Sequence, residues 1–289
     1  MQDLIHTFKP DATALSFDEV INACPAVLTE TASPETSDRY GFISTHNAMQ
    51  VLGDYGYRPT KAIQRPSRNP QKTPFNMHMI TFAHDESLLN PYADSRPEII
   101  LYNSHDRSSA LSLYSGLYRF ICSNGIVAGK GFNAKLRHSH KTANGFENLL
   151  QETAKGLPEL MNRIDRLENT NLDREQVLDF VFNAAQLRWE QAPEQINAQT
   201  KNGVYFNDRT LAGVNLTRRH ADQGASAWNV FNRVQENILK GGPRVVSITD
   251  RIKDKGQYFG KIRKSKGISS LPETIRVNQS LWNLSNAFA

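Results

Sequence analysis

The stretch "SSALSLYSGLYRFICSNGIVAGK", residues 108–130, decides how the N-terminal half of the chain folds. Apolar side chains recur in it at helical spacing: Ala110, Leu113, Leu117 and Ile121. This spacing predicts one apolar face of an α-helix, with Ser104 or Asp106 as its cap. Gly125 follows at the place where a left-handed residue ends many helices. We therefore expect a helix that stops at the segment 122–125.

The segments before this stretch have the pattern of an antiparallel sheet. Residues 57–65, 75–84 and 97–104 are rich in strand-forming side chains, and "PSRNPQKTP" joins the first two as a long basic hairpin loop. Residues 126–140 are typical of a further strand or β-hairpin. The N-terminal part is therefore predicted to be a β-β-β-α-type region.

Helical patterns dominate the rest of the chain and two places near its start. Ser16 and Glu19 have capping-box spacing, with Pro25 expected to shorten or kink that helix. Residues 44–56 predict a second short helix with Ser44 or Thr45 as its cap. Later apolar stripes predict helices over 144–168, 177–189 and 226–242, and near the C-terminus. The predicted class is α+β, with an α+β core over 1–142 and a mostly helical region over 143–289.

Composition and cysteine usage limit the class of protein. The chain has 289 residues, 39% hydrophobic and 22% charged, which is typical of a soluble globular protein. No run approaches the roughly 18 apolar residues of a membrane span, and no secretory signal pattern opens the chain. Cys24 and Cys122 are too few for a disulfide framework or a four-thiolate zinc site. A reducing cytoplasm is the expected compartment.

The charge of +5 is concentrated in a few segments. Residues 240–266 carry nine Lys or Arg against two Asp, and the runs 58–72 and 130–141 contain no acidic residue. Such separation favours an anionic partner, most often nucleic acid. The alternative is a set of solvated loops on an ordinary basic protein.

The sequence offers little support for bond chemistry. No phosphate-binding glycine motif is present, so neither ATP nor another cofactor is expected. Cys122 at a helix C-terminus favours a buried thiol over a nucleophile. A metal-dependent nuclease or hydrolase remains an alternative, and its ligands would be His105, Asp106, His138 and His140, with His78 or His84 in reach.

Aromatic side chains lie among the basic ones, which is the composition of a single-strand binding groove. Tyr57 adjoins Arg58, Phe132 lies between Lys130 and Lys135, and Tyr258 and Phe259 precede Lys261. A stacked base contributes about 1–3 kcal/mol, and Lys or Arg neutralise the phosphates. The alternative is that these rings belong to the core. No motif for base-specific readout is present.

Three motifs carry a resemblance to a known family: "NSHDRSSALSLYSGLYRFICSNGIVAGKGF", "AWNVFNRVQENILKGG" and "NQSLWNLS". With them the chain resembles the domain-of-unknown-function family numbered 932, whose members are encoded on plasmids, phages and integrated elements of bacteria. This resemblance covers nearly the whole chain and implies a mobile-element context.

The element order also resembles the ring-forming single-strand annealing proteins of recombination, in which a β-β-β-α unit lines a basic groove for single-stranded DNA. The short helix, the 57–84 hairpin and the segment 107–124 would occupy matching places. Arg119 and Asn124 would match the basic and small polar residues near the end of that family's helix.

These observations together predict a single-stranded DNA-binding protein, with RNA as an alternative ligand, that anneals strands without ATP in recombination or replication. A homo-oligomer is expected, because one groove covers only a few nucleotides. The other alternative is a protein-binding inhibitor of host defence. Residues 251–266 would form an outer basic strip. The residues expected to contact nucleic acid are Arg58, Lys61, Arg65, Arg68, Lys72, Arg119, Lys130, Lys135, Arg137, Lys255, Lys261 and Arg263.

Overall fold

The structure is a computed structural model that describes residues 5–8, 14–89, 95–119, 124–127, 133–138, 145–189, 204–205, 207–254 and 257–288. It forms two compact units, Met1–Met161 (unit 1) and Asn162–Ala289 (unit 2). The boundary between them falls inside one long helix, whereas the sequence suggested a division before that helix, at 142/143.

Unit 1 is an antiparallel sheet with helices against one face. Its strands are β1 (Ile5–Phe8), β2 (Tyr57–Gln64), β3 (His78–His84), β4 (Ser95–Asn103), β5 (Leu111–Arg119), β6 (Asn124–Val127) and β7 (Asn133–Leu136). Its helices are α1 (Phe17–Ala23), α2 (Thr45–Asp54), α3 (Asp85–Leu88) and the start of α4 (Phe146–Asn169). The strand order is β1-β2-β3-β4-β5-β6, and β7 also pairs with β5.

The helix predicted for the opening stretch is wrong, because β5 occupies that place. This strand pairs with β4 from Ser95↔Arg119 to Tyr102↔Ser112. Gly125 lies on β6 opposite Tyr118, so it does not end a helix. The leucines of β5 pack towards the helices, but the serine and tyrosine side chains on its other face are buried as well. The apolar and polar alternation that would reveal a half-exposed strand is therefore weak.

The core of unit 1 lies between the helix-facing side of the sheet and helices α1, α2 and α4. Leu52, Ile80, Phe82 and Leu101 are fully buried in it, and each contributes about 1.5–3 kcal/mol by leaving water. The helix starts agree with the sequence. Ser16 forms the capping box of α1, and Ser44 accepts from the Asn47 N–H at the start of α2.

Unit 2 combines helices with a small sheet. Its elements after α4 are α5 (Arg174–Gln186), β8 (Val204–Tyr205), α6 (Asp208–Val214), α7 (Ala227–Lys240), β9 (Arg244–Asp254), β10 (Gln257–Lys264) and α8 (Leu271–Leu284). The sheet order is β10-β9-β8, all antiparallel. Helix α7 is buried over most of its surface, and Trp282 of α8 packs edge-on against its Phe231.

The basic segment 240–266 is largely the β9–β10 hairpin of unit 2. Sheet and helices together confirm the α+β class. Within the described ranges, no helix combines the length and hydrophobicity needed to cross a bilayer.

Candidate nucleic-acid interface

Two of the predicted basic residues are engaged in surface ion pairs. Arg58 donates from Nε and Nη2 to the two carboxylate oxygens of Asp85, at 3.1 and 3.0 Å, and from Nη1 to the Gly53 carbonyl. Lys72 Nζ lies 2.8 Å from Glu35 Oε1. Exposed pairs of this kind contribute about 0–1 kcal/mol. Their cations therefore remain available for exchange with a phosphate at modest cost.

Arg65, Arg68 and Lys135 are exposed, and no carboxylate in the described part of the chain pairs with them. One row of register partners crosses the sheet through Ile63, Met79, Tyr102, Ser112 and Lys135. Arg65 comes two residues after Ile63. Its backbone N–H donates to the Met77 carbonyl, 2.8 Å away, and so continues the pairing of β2 with β3. Since side chains alternate along a strand, Arg65 and Lys135 belong to the same face and the same end of the sheet.

The structure describes only some of the remaining residues that were predicted to contact nucleic acid. Arg137 and Arg263 are exposed, and Lys61 is half-buried near Glu98. Arg119 and Lys261 belong to β5 and β10, and their side chains lie outside the described part. Of the residues singled out in the sequence, Ile121, Cys122, Lys130, Phe132, His140 and Lys255 lie outside the described ranges.

A buried polar cluster connects the start of α2 to the sheet in unit 1. Its members are Thr45, His78, Asn103 and His105, which are fully buried, and His138, which is half-buried. Thr45 Oγ1 lies 2.8 Å from His78 Nε2 and 3.4 Å from His105 Nε2, and it accepts from Asn103 Nδ2 at 3.0 Å. Asn103 Oδ1 in turn lies 2.9 Å from His138 Nε2, and the His138 ring stacks on Tyr40. These contacts hold His78, Asn103 and His138 in hydrogen bonds within the fold.

Burial keeps the histidines of this cluster neutral at pH 7. It lowers the pKa of His78 to about 4. Burial, and then the neighbouring His78 and His138, lower the pKa of His105 to about 3. For Asp106, burial raises the pKa, but hydrogen bonds from Ser108 and Ser104 outweigh it and hold the pKa below its usual value. Among the described residues, no group of three or more His, Cys, Asp or Glu could hold a metal ion.

Unit 2 contains a concave site that the sequence did not predict. The basic pocket is a cavity of about 500 Å³ lined by the cations Arg209, Arg218, Lys240, Arg244 and Lys264. They come from α6, the segment after it, the end of α7, the start of β9 and the end of β10. Only the last three belong to the basic segment noticed in the sequence, and no spacing along the chain connects Arg209 and Arg218 to it.

Comparisons with known proteins place most of the chain in a single protein family. A family model described as "Domain of unknown function (DUF932)" matches residues 35–282. The UPF0380 protein YafZ of Escherichia coli (strain K12) is 26% identical over 273 residues, covering 94% of this chain and 91% of that protein. The UPF0380 protein YfjQ of the same strain is 24% identical over 268 residues, covering 93% and 89%. No solved structure matches. The chain belongs to the DUF932 family.

Proposed function

We infer that this protein binds single-stranded DNA and anneals complementary strands without ATP, in the recombination or replication of a mobile element. The observation that carries the proposal is the placement of Arg65 and Lys135 on one face and at one end of the unit 1 sheet. Three strands separate them, so they span about 20 Å. Arg68 extends this set into the loop after β2, and all three side chains are exposed.

The positive charges of these side chains can bind a DNA strand without any contact to its bases. Each phosphate neutralised by Lys or Arg releases counterions, and this supplies binding without base readout. Annealing adds no bond chemistry, because the protein needs only to hold two strands with their bases exposed. Where the annealing proteins have a helix, this chain has the strand β5. The proposal therefore rests on the charges and not on that likeness of element order.

Binding across a salt series tests the proposal. We expect a fluorescently labelled oligonucleotide to bind at low ionic strength and to dissociate as salt rises. The variant Arg65→Ala/Arg68→Ala/Lys135→Ala should lower the slope of log K against log [salt] by about 2, at about 0.7 per lost phosphate contact. Lys155→Ala is the control, because Lys155 is an exposed cation on α4 outside the predicted set.

Annealing is measured separately, with two complementary labelled strands and no nucleotide. The wild-type chain should accelerate duplex formation, and the triple variant should do so less. Sedimentation with and without the oligonucleotide reports the expected homo-oligomer, and an RNA strand of the same sequence tests the choice between DNA and RNA. Binding that is absent at low salt, or that does not respond to salt, contradicts the proposal.

A further inference from the structure

The basic pocket of unit 2 concentrates positive charge inside a concave surface. Besides its five cations, it is lined by Gly213, Leu216, Ser265 and the turn formed by Gly241, Gly242 and Pro243. None of its lining residues is acidic, and none is aromatic. A cavity of this size can enclose a small ligand. The lining offers charge and hydrogen-bond donors but no ring on which a base could stack.

Arg244 and Lys264 face one another directly across the β9–β10 ladder, where they are register partners. Opposite residues in an antiparallel pair have Cβ atoms about 4.5–5.5 Å apart, and like charges in this position destabilise the pair. Both side chains are exposed and both line the basic pocket. An anion bound between them would offset this repulsion, so the pairing of these two cations favours the binding of a negatively charged ligand.

Arg218 is held at the wall of the pocket by the turn after α7. Its guanidinium donates to the Gly241 carbonyl. The Arg218 guanidinium lies against Gly242, at the place that a Cβ on this residue would enter. The Gly242 N–H donates to the carbonyl and hydroxyl oxygens of Ser265, at 2.9 and 3.1 Å. The turn is thus tied to the end of β10, and the arginine is positioned before any ligand binds.

One carboxylate lies next to the pocket, where it pairs with Lys240. Glu236 Oε1 lies 3.1 Å from Lys240 Nζ and 2.8 Å from Arg219 Nη2, and its side chain is 5% exposed. Glu236 is shared by these two cations, so it offsets only part of the charge of Lys240. Within the described ranges, no carboxylate pairs with Arg209, Arg218, Arg244 or Lys264. The pocket keeps an excess of at least four positive charges.

We propose that the basic pocket binds a compact anion made of linked phosphates. A single phosphate would leave most of the excess charge unbalanced, whereas a chain of phosphates places several negative charges within one small volume. Arginine forks match phosphate oxygens in pairs, and three of the five cations are arginines. The same chemistry is present in inorganic polyphosphate and in the 5′-triphosphate end of a nucleic-acid strand. The inference does not depend on the unit 1 surface.

Calorimetric titration of the full chain with sodium tripolyphosphate at low ionic strength tests the pocket without any nucleic acid. We expect one tripolyphosphate per chain. Arg244→Gln and Lys264→Gln should each weaken its binding by about tenfold or more. Arg174→Gln is the matched control, because Arg174 is an exposed arginine of unit 2 that does not line the pocket. An absence of binding, or an equal loss in Arg174→Gln, overturns the proposal.

Thermal unfolding distinguishes lost binding from lost folding. Without ligand, Arg244→Gln should unfold at the wild-type temperature or above it, because the repulsion from Lys264 is gone. Tripolyphosphate should raise the melting temperature of the wild type and of Arg174→Gln much more than that of Arg244→Gln. An equal rise in Arg244→Gln overturns the site.

Competition then distinguishes the two sources of the anion. If a 5′-triphosphate oligonucleotide displaces tripolyphosphate better than its 5′-hydroxyl counterpart, the pocket reads the end of a strand. If the two oligonucleotides compete equally weakly, the ligand is the free polyphosphate chain. Either result supports a site for linked phosphates and leaves the unit 1 surface to its own test.

Discussion

Thr45 Oγ1 lies 2.8 Å from His78 Nε2, and this contact joins the first residue of α2 to the first residue of β3. The other ring nitrogen, Nδ1, lies 2.9 Å from the Asn76 carbonyl and must donate to it. Nε2 of the neutral ring is therefore an acceptor, and the threonine hydroxyl donates to it. One hydroxyl thus satisfies a histidine that has no access to water.

Thr45→Val should destabilise unit 1 by about 1–3 kcal/mol, because it removes the donor of His78 and the acceptor of Asn103 and leaves buried polar atoms unsatisfied. Thr45→Ser keeps the hydroxyl and should lose much less. Urea denaturation monitored by circular dichroism measures both. If the valine and serine variants were equally stable, the hydrogen bonds of Thr45 would contribute nothing to the fold.

Stability should fall on acidification below pH 6.5. Burial lowers the pKa of His78 to about 4 from an ordinary value of 6.5, so the unfolded chain takes up a proton in this window before the folded chain does. The contribution is complete above pH 6.5 and decreases towards pH 4. Denaturation at a series of pH values measures it. His78→Gln should flatten the dependence by up to about 1.4 kcal/mol per pH unit, and an unchanged slope would contradict the assignment.

Glu98→Ala should be among the most destabilising single changes in unit 1. Arg96 Nε lies 3.0 Å from Glu98 Oε1, with side chains 2% and 5% exposed, and Thr60 Oγ1 donates to the same oxygen at 3.1 Å. Loss of the carboxylate leaves a buried guanidinium, at a cost of about 3–5 kcal/mol. The double variant Arg96→Met/Glu98→Leu removes both charges and should recover most of that loss. Equal stabilities of the single and double variants would exclude coupling between the two.

Gly241→Ala should destabilise unit 2. Gly241 ends α7 with φ 75° and ψ −169°, a conformation essentially limited to glycine, and a Cβ there would lie 2.5 Å from backbone atoms of Lys266. We expect a loss of about 1–3 kcal/mol or more. Gly53→Ala is the matched control, because its Cβ would meet only Arg58 Nη1 at 3.5 Å inside α2. That change should stabilise by about 0.5–1 kcal/mol, and thermal melts compare the two.

Elements with local signals were predictable from the sequence. The capping box at Ser16, the cap at Ser44 and the hairpin strands β2 and β3 all depend on neighbours within a few residues. The strand β5 was mistaken for a helix because Leu113 and Leu117 satisfy both a helical repeat and a two-residue alternation. Because the face with Ser112 and Tyr114 is buried as well, it carries small and aromatic residues in place of the charged ones that would have indicated a half-exposed strand.

The candidate sites were less accessible to sequence reasoning, because they depend on distant partners. The pairing of Arg58 with Asp85 requires the β2–β3 register, which brings Tyr57 opposite His84. The clustering of Arg209 with Lys264 requires the packing of α6 beside the hairpin. Basic composition singles out 240–266 as a charged segment. It could not show which of those cations share a cavity.

The order of strands in unit 1 also bears on how the protein assembles during synthesis. From β2 to β6, each strand pairs with the next one along the chain. Pairing two strands that are adjacent in the sequence costs less loop-closure entropy than pairing distant segments. Such a low contact order speeds folding. The ribosome extends a chain at about 5–20 residues per second. The sheet can therefore be completed hairpin by hairpin as the chain emerges, because every described strand of unit 1 pairs with another strand of unit 1.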